Sequence, residues 1–457
     1  MDDIKQQSKG VRARGLRGVL YLPKSTATSQ LYLNVNTSHP LKMAKTHKTS
    51  WPGPPRAPSP PFPSSKRIPT SPRKVFLLLV TAGFFSWAML YLLPIHLPRL
   101  SSPYSSSSQA GSRLLSPTKV GSLDLKHRVV MAPMTRNRAS EDGIPSDYTA
   151  TYYEQRATDG GLQITEGTII APEAGGLANV PGIWNAQQVE AWKKVTGKVH
   201  EKGGSIVCQL WALGRVADPA LVPKVYAPSD IPSSNGSRDL TVMSETDIDR
   251  FVEHYRKAAV NAVEAGFDGV EVHMGNGYLL DQFIQNTSNH RTDPYTPHTY
   301  LLPLRTLLTI ASTLPSTNLG FRISPWSTFQ DMLEPDPVRT FGGLVGRVLG
   351  DVPGLAWVHV IRPEEGGEDG VESIREIVRE KGKGTAFIVA GGYDPESAKQ
   401  HAENTDDLVA FGRYFISNPD LVRRIENDYP LAEYDPNTFY SQGLEGYIDY
   451  PDYGGRV

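Results

Sequence analysis

From Leu114 onward the chain alternates short apolar runs with amphipathic stretches, and the alternation recurs eight times. The runs fall at 128–132, 162–170, 205–211, 269–273, 319–324, 356–361, 386–390 and 407–411. Between them, 186–202, 245–265, 300–314, 338–349, 371–381 and 396–402 space their apolar residues at the helical period. Continuous apolar runs suit strands covered on both faces, and every parallel crossover requires a covering helix. The pattern predicts an α/β chain folded as a (β/α)8 TIM barrel over residues 114–457. A doubly wound sheet would carry a phosphate-binding glycine fingerprint after its first strand, and Met131-Ala-Pro-Met-Thr-Arg136 is not one.

A barrel of this kind builds its active site from the C-terminal ends of its strands. There the sequence is polar or glycine. Pro133, Thr135 and Arg136 follow the first run; Thr165 and Gly167 lie in the second, Gln209 and Trp211 in the third. The fifth holds Arg322, while Gly391-Gly392 and Gly412-Arg413 end the seventh and eighth. Those two glycine turns stand ahead of expected helix starts at Asp394-Pro-Glu-Ser and Asn418-Pro-Asp. Exposed backbone N–H groups with a forked guanidinium make a phosphate site. The fourth strand end is the most pointed: Gly269-Val-Glu-Val-His273 opens into a glycine turn carrying Asn276 and Tyr278. A single histidine beside a glycine turn is more often a core residue. Here, however, His273 and Asn276 are two donors for one oxygen, and the Tyr278 phenol is a proton source beside them.

Residues 1–74 are a different polymer. They hold 14 Lys+Arg against 2 Asp+Glu, whereas the remainder holds 33 against 46. Basic, Pro- and Ser-rich and without an apolar period, this segment reads as disordered, a solvated tail with no nucleic-acid partner expected. Val75 to Leu93 is 19 residues without a charge, flanked upstream by Lys66, Arg67, Arg73 and Lys74 and closed by Pro94 and Pro98. We read 75–97 as a single transmembrane helix, and 98–113 as a linker. The expected location is therefore a membrane, single-pass, and otherwise the cytoplasm. One cysteine, Cys208, excludes an intramolecular disulfide framework and a cysteine-rich metal site. Oligomeric state is left open.

The motifs from Leu114 to Tyr453 resemble the Old Yellow Enzyme family of FMN-dependent ene-reductases, in its fungal branch. The carriers are Val130-Met-Ala-Pro-Met-Thr-Arg136, Ile164-Thr-Glu-Gly167, Pro181-Gly-Ile-Trp-Asn185, Cys208-Gln-Leu-Trp211 and His273-Met-Gly-Asn-Gly-Tyr278. Arg322-Ile-Ser-Pro325, Ala390-Gly-Gly392, Phe411 to Pro419 and Gly446 to Pro451 follow in family order. The resemblance implies FMN held by Pro133, Thr135, Gly167, Gln209, Arg322, Gly391, Gly392, Gly412 and Arg413. It implies a substrate carbonyl gripped by His273 and Asn276, a proton from Tyr278, and pocket walls at Trp211, Phe329 and Tyr440. NADPH would supply hydride, and an enone or enal would receive it at the β-carbon. The chain departs from the family at Thr296-Pro-His-Thr-Tyr300, which is shorter and different, and at Arg362, where an acidic residue is usual. The alternative to a working ene-reductase is a membrane-tethered flavin-binding barrel with little turnover.

Overall fold

The computed structural model describes residues 112–363 and 368–455. Eight strands carry the fold: β1 (Val129–Met131), β2 (Leu162–Ile164), β3 (Ser205–Trp211), β4 (Gly269–His273), β5 (Leu319–Ile323), β6 (Trp357–Ile361), β7 (Ala386–Ala390) and β8 (Leu408–Phe411). Each pairs in parallel with its sequence neighbours, β8 returns to β1, and β2 pairs with β3, so the sheet closes on itself as a barrel. Besides six-residue helices at Leu279–Ile284 and Leu421–Glu426, the helices are α1 (Asp147–Arg156), α2 (Ala186–Glu201), α3 (Glu245–Glu264), α4 (Leu301–Ala311), α5 (Pro337–Asp351), α6 (Glu368–Lys381), α7 (Pro395–Asn404) and α8 (Arg413–Ser417).

Alternation along the strands sorts the apolar residues into two layers. Val129, Cys208, Val270, Val272, Phe321, Val358, Val389 and Val409 point outward into the large core shared with the helices. Val130, Leu162, Val207, Trp357, Ile388 and Leu408 fill the barrel itself. Trp357 is the largest of these. The Cβ of any residue other than glycine at 320 would lie 2.1 Å from its indole, so Gly320 is what admits the ring. An antiparallel hairpin, Thr118–Val120 with Leu123–Leu125, plugs the N-terminal end with Val120, Leu123 and Leu125. That end is closed, and the opposite one is left for chemistry.

Several boundaries differ from the sequence reading. The run 162–170 divides into β2 and a separate pair, Thr168–Ile169, that joins the end of β3. A helix does start from Asn418-Pro-Asp, Leu421–Glu426 with Asp420 at its N-cap, but α8 precedes it, beginning directly after Gly412. The folded unit includes Ser112, which caps a 3-10 turn over Arg113–Leu115, so the linker ends earlier than expected. The altered stretch after Tyr295 is knit locally: Thr299 Oγ1 donates to Pro294 O, and Asn289 Nδ2 donates to Tyr295 O at 2.9 Å. Tyr300 then turns through a left-handed conformation into α4, which has no side-chain cap. The disordered segment 1–74, the transmembrane helix 75–97 and nearly all of the 98–113 linker lie outside the described residues. Among the described residues no helix is long and apolar enough to cross a membrane.

Candidate active site

Barrel parity places Gln209, Glu271, His273, Arg322 and His359 on inward positions toward the strands' C-terminal ends. The register pairs Arg322 with His273 on one side and with His359 on the other. Gln209 pairs with Glu271. All five are buried. Glu271 organises the group: it accepts from Gln209 Nε2 at 2.8 Å, Trp357 Nε1 at 2.9 Å and His359 Nδ1 at 3.0 Å. Burial opposes its ionisation, but His359, Arg322 and the Trp357 indole together hold its carboxyl below the usual range. Glu271 in turn offsets part of the burial that lowers the Arg322 guanidinium to about 10. Arg322 therefore stays a cation at neutral pH, and its buried Nε has no hydrogen-bond partner among the described residues. A buried charged donor left open in this way fits a polar group from a bound cofactor.

One layer above lies the β4 turn. Gly275 N–H donates to His273 Nδ1 at 3.3 Å, so the ring proton sits on Nε2, which is left to donate outward. Burial, and then the Arg322 charge, push His273 down to about 3, so the imidazole is neutral at every working pH. Asn276 adopts φ 56°, and its N–H donates to Ser324 Oγ at 2.6 Å. The turn is pressed against β5, since a Cβ at Gly275 would meet Ser324 N at 2.9 Å. Gly277 N–H is held by the Asp281 carboxylate at 2.8 Å. Tyr278 follows, its ring 5.3 Å from His273 and 4.7 Å edge-on from Trp211. Burial raises the phenol to about 12. The His273, Tyr278 and Trp211 rings thus lie together, and Asn276 belongs to the same turn.

Other predicted residues divide. Pro133 and Thr135 are half-buried at the end of β1. Gly167 is buried with a packing partner, because a Cβ there would lie 2.5 Å from the Trp211 ring. At the far side β7 and β8 run in register, Ala390 opposite Ala410, and bring the two glycine turns together. Gly391 and Gly392 take φ 115° and 66°, the first a conformation that L side chains rarely adopt. Asp394 caps α7 reciprocally with Ser397. Gly412 stands at the start of α8, and Arg413 is exposed with its guanidinium 5.7 Å from the Tyr434 ring. Arg362 donates to the Gly391 carbonyl. Phe329 and Tyr440 do not form buried walls: at 59 % and 65 % exposed they stand on the rim.

Sequence reasoning passed over what holds that rim. Arg138 is 4 % exposed and donates to the carbonyls of Thr438, Phe439, Gly443 and Glu445. Arg136, noted only as a strand-end residue, donates to Gly446 O at 2.7 Å beneath the Tyr152–Tyr447 stack. A C-terminal strap bearing Tyr440 is thereby fastened to the end of β1. Arginines two apart after a strand, with an aromatic, glycine-rich tail far downstream, were the available signal. Glu271 and His359 were visible as polar residues inside apolar runs.

The geometry defines a parallel α/β barrel whose strand ends gather buried polar side chains around Arg322, with two glycine turns side by side after β7 and β8. Residues 113–432 match the NADH:flavin oxidoreductase / NADH oxidase family. The chain belongs to that family, the Old Yellow Enzymes, and is an FMN oxidoreductase. It is 42 % identical over 365 residues to a putative 12-oxophytodienoate reductase of Oryza sativa subsp. japonica, covering 75 % of this chain and 96 % of the relative. It is 42 % identical to a chanoclavine-I aldehyde reductase of Penicillium roqueforti, over 74 % and 96 % of the two chains. Morphinone reductase in complex with tetrahydroNAD superposes with a TM-score of 0.70 at 35 % identity, over 74 % and 97 % of the chains.

Proposed function

We propose that this chain takes hydride from NADPH and reduces the C=C bond of α,β-unsaturated carbonyl compounds. The observation that carries the reading is the pairing of a neutral, Nε2-protonated His273 with a protonated Tyr278, 5.3 Å apart beside Arg322. FMN, when bound, supplies the hydride chemistry. Gln209 is oriented by Glu271 to present its amide to the ring, Arg322 offsets negative charge there, and Thr135 bonds the carbonyl edge. Gly391, Gly392, Gly412 and Arg413 receive the phosphate. His273 and Asn276 hold the substrate oxygen and stabilise negative charge that develops on it. Tyr278 then gives its proton to the α-carbon. Phe329 and Tyr440 lend an apolar rim, which favours substrates with hydrophobic bulk beyond the enone.

The test uses the flavin-loaded protein. Anaerobic NADPH should bleach the yellow colour, and a panel of cyclic enones, enals and nitroalkenes should restore it. Bleaching without reoxidation by any of these would refute enone reduction. It would favour the second reading, a flavin-binding barrel with little turnover, for which the uncapped start of α4 after the altered Tyr295 loop is the supporting feature. NADH run beside NADPH tests the choice of donor. The anchor at 75–97 is proposed on the sequence alone.

A further inference from the structure

The geometry points to Arg362 and Tyr393 as positioning residues for the cofactor phosphate: together they clamp the glycine turn after β7 at both ends, so that its backbone meets the phosphate already formed. The inference rests on the placement of the FMN phosphate at that turn, proposed above, and not on enone reduction. Gly391 and Gly392 take φ 115° and 66°. Two consecutive glycines in such backbone are permissive, and a turn held by nothing else would have to give up its freedom on binding. The surroundings of this turn remove that freedom beforehand.

Arg362 follows β6 directly, and its backbone N–H donates to Ala390 O at 2.9 Å, which extends the β6–β7 ladder by one residue. Its side chain then folds over the turn. Nε donates to the Gly391 carbonyl, and the guanidinium carbon lies 3.9 Å from the centre of the Tyr393 ring. A Cβ at residue 391 would lie 3.2 Å from Arg362 Cγ, and one at residue 392 would lie 3.6 Å from a terminal guanidinium nitrogen, so the side chain spans both glycines. Tyr393 is itself held. It is buried, and its hydroxyl pairs with Nδ1 of His401 on α7 at 3.2 Å. His401 turns Nε2 to Asp407, just ahead of β8, at 2.8 Å, and Arg375 of α6 grips the same carboxylate through Nε at 3.0 and 3.1 Å. The turn is therefore tied through one phenol to α6, α7 and β8, and through one guanidinium to β6. A clamp of this kind spares the phosphate the cost of ordering the glycines, and it does nothing for the isoalloxazine ring.

The test is the affinity of the flavin-stripped full chain for FMN and for riboflavin, which lacks the phosphate, read from quenching of flavin fluorescence. Tyr393→Phe keeps a ring under the guanidinium but removes the bond to His401, and should weaken FMN about fivefold. Arg362→Met and Arg362→Lys both lose the flat, forked donor over the turn, and each should weaken FMN about tenfold. Riboflavin should bind all three variants as it binds the parent. Equal losses for both flavins would overturn the proposal in favour of a general loosening of the fold. Recovery of FMN affinity in Arg362→Lys would overturn it as well, since charge alone would then be what the phosphate meets. Arg413→Ala, run beside them, separates the clamp from the assignment beneath it. FMN weakened by that change alone leaves the phosphate at the glycine turns and refutes the clamp; a preference for FMN that none of the four changes touches removes the phosphate from the turn, and the clamp with it. No measurement here requires turnover, so a protein that reduces no enone decides the clamp equally well.

Discussion

His273 and Tyr278 are held in their working protonation states by opposite consequences of the same burial. Desolvation penalises the charged form, so it drives the imidazole down to about 3 and the phenol up to about 12. The donors are thus both neutral. Unfolded, a histidine takes up a proton near 6.5, so His273 makes no demand on stability above that pH and destabilises the fold progressively as pH falls from 6.5 toward 3. Affinity for a saturated ketone, read from flavin absorbance, should show no break near 6.5 from this residue. Asp281, raised to about 7 by burial beneath the same turn, and Glu166, raised to about 7 by burial against the end of β1, are competing sources, so the test is run in the Asp281→Asn, Glu166→Gln background as well. A break that survives both substitutions would contradict the neutral-donor assignment. Tyr278→Phe should leave flavin reduction by NADPH near normal and slow reoxidation by an enone roughly 10²–10⁴-fold. Equal slowing of both halves would make Tyr278 a ligand-positioning group. At the phosphate end, Arg413→Ala should weaken FMN retention through dialysis by about tenfold or more, since a dianion loses a forked cation. Retention equal to the parent would remove Arg413 from that site.

Elements with a strong period were legible in the sequence, and elements held by polar contacts were not. The barrel strands and α2 to α7 announce themselves because each buries an apolar face, and apart from β2, which ends six residues short of its run, their ends agree within a few residues. Helix α1 was missed because its buried side is Thr149, Tyr152, Tyr153 and Arg156, which makes no apolar stripe. The short α8 was missed because its five residues are too few to show a period, whereas Asn418-Pro-Asp did mark the start of Leu421–Glu426. Strand-end polarity found His273, Gln209 and Arg322, since parity and register follow from the barrel. It could not find the strap, whose register depends on guanidinium-to-carbonyl bonds. That strap makes its own prediction. Arg138→Ala abandons several carbonyls and should cost roughly 2–4 kcal/mol, seen as a lower Tm. By loosening Tyr440 at the rim it should also raise KM more than it lowers kcat. A KM that stays with the parent would detach the strap from substrate binding.

On the scale of the whole molecule, the charge division sets the remaining question. Residues 1–74 carry 14 basic against 2 acidic side chains, and the uncharged Val75 to Leu93 follows directly. Four basic residues just before a span favour keeping that side in the cytosol, which would send the barrel across. FMN and NADPH are chiefly cytosolic supplies, and the buried Cys208 is the chain's one cysteine, so no intramolecular disulfide adapts the barrel to an oxidising lumen. The two arguments conflict over topology but agree that the barrel is indifferent to it. Every strand-end residue named here lies beyond Ser112, and among the described residues the barrel closes through β8 and β1. A chain beginning at Ser112 should therefore bind FMN and react like the full chain. Full-length protein should sediment with membranes and resist extraction by alkaline carbonate, because an apolar run of this length stays in the bilayer when electrostatic contacts are stripped. Release into the carbonate supernatant would refute the anchor. If it is retained, protease added to intact vesicles decides the side: digestion of the barrel puts the flavin site in the cytosol against the charge rule, and protection puts it in the lumen, where a reduced nicotinamide supply would then have to be sought.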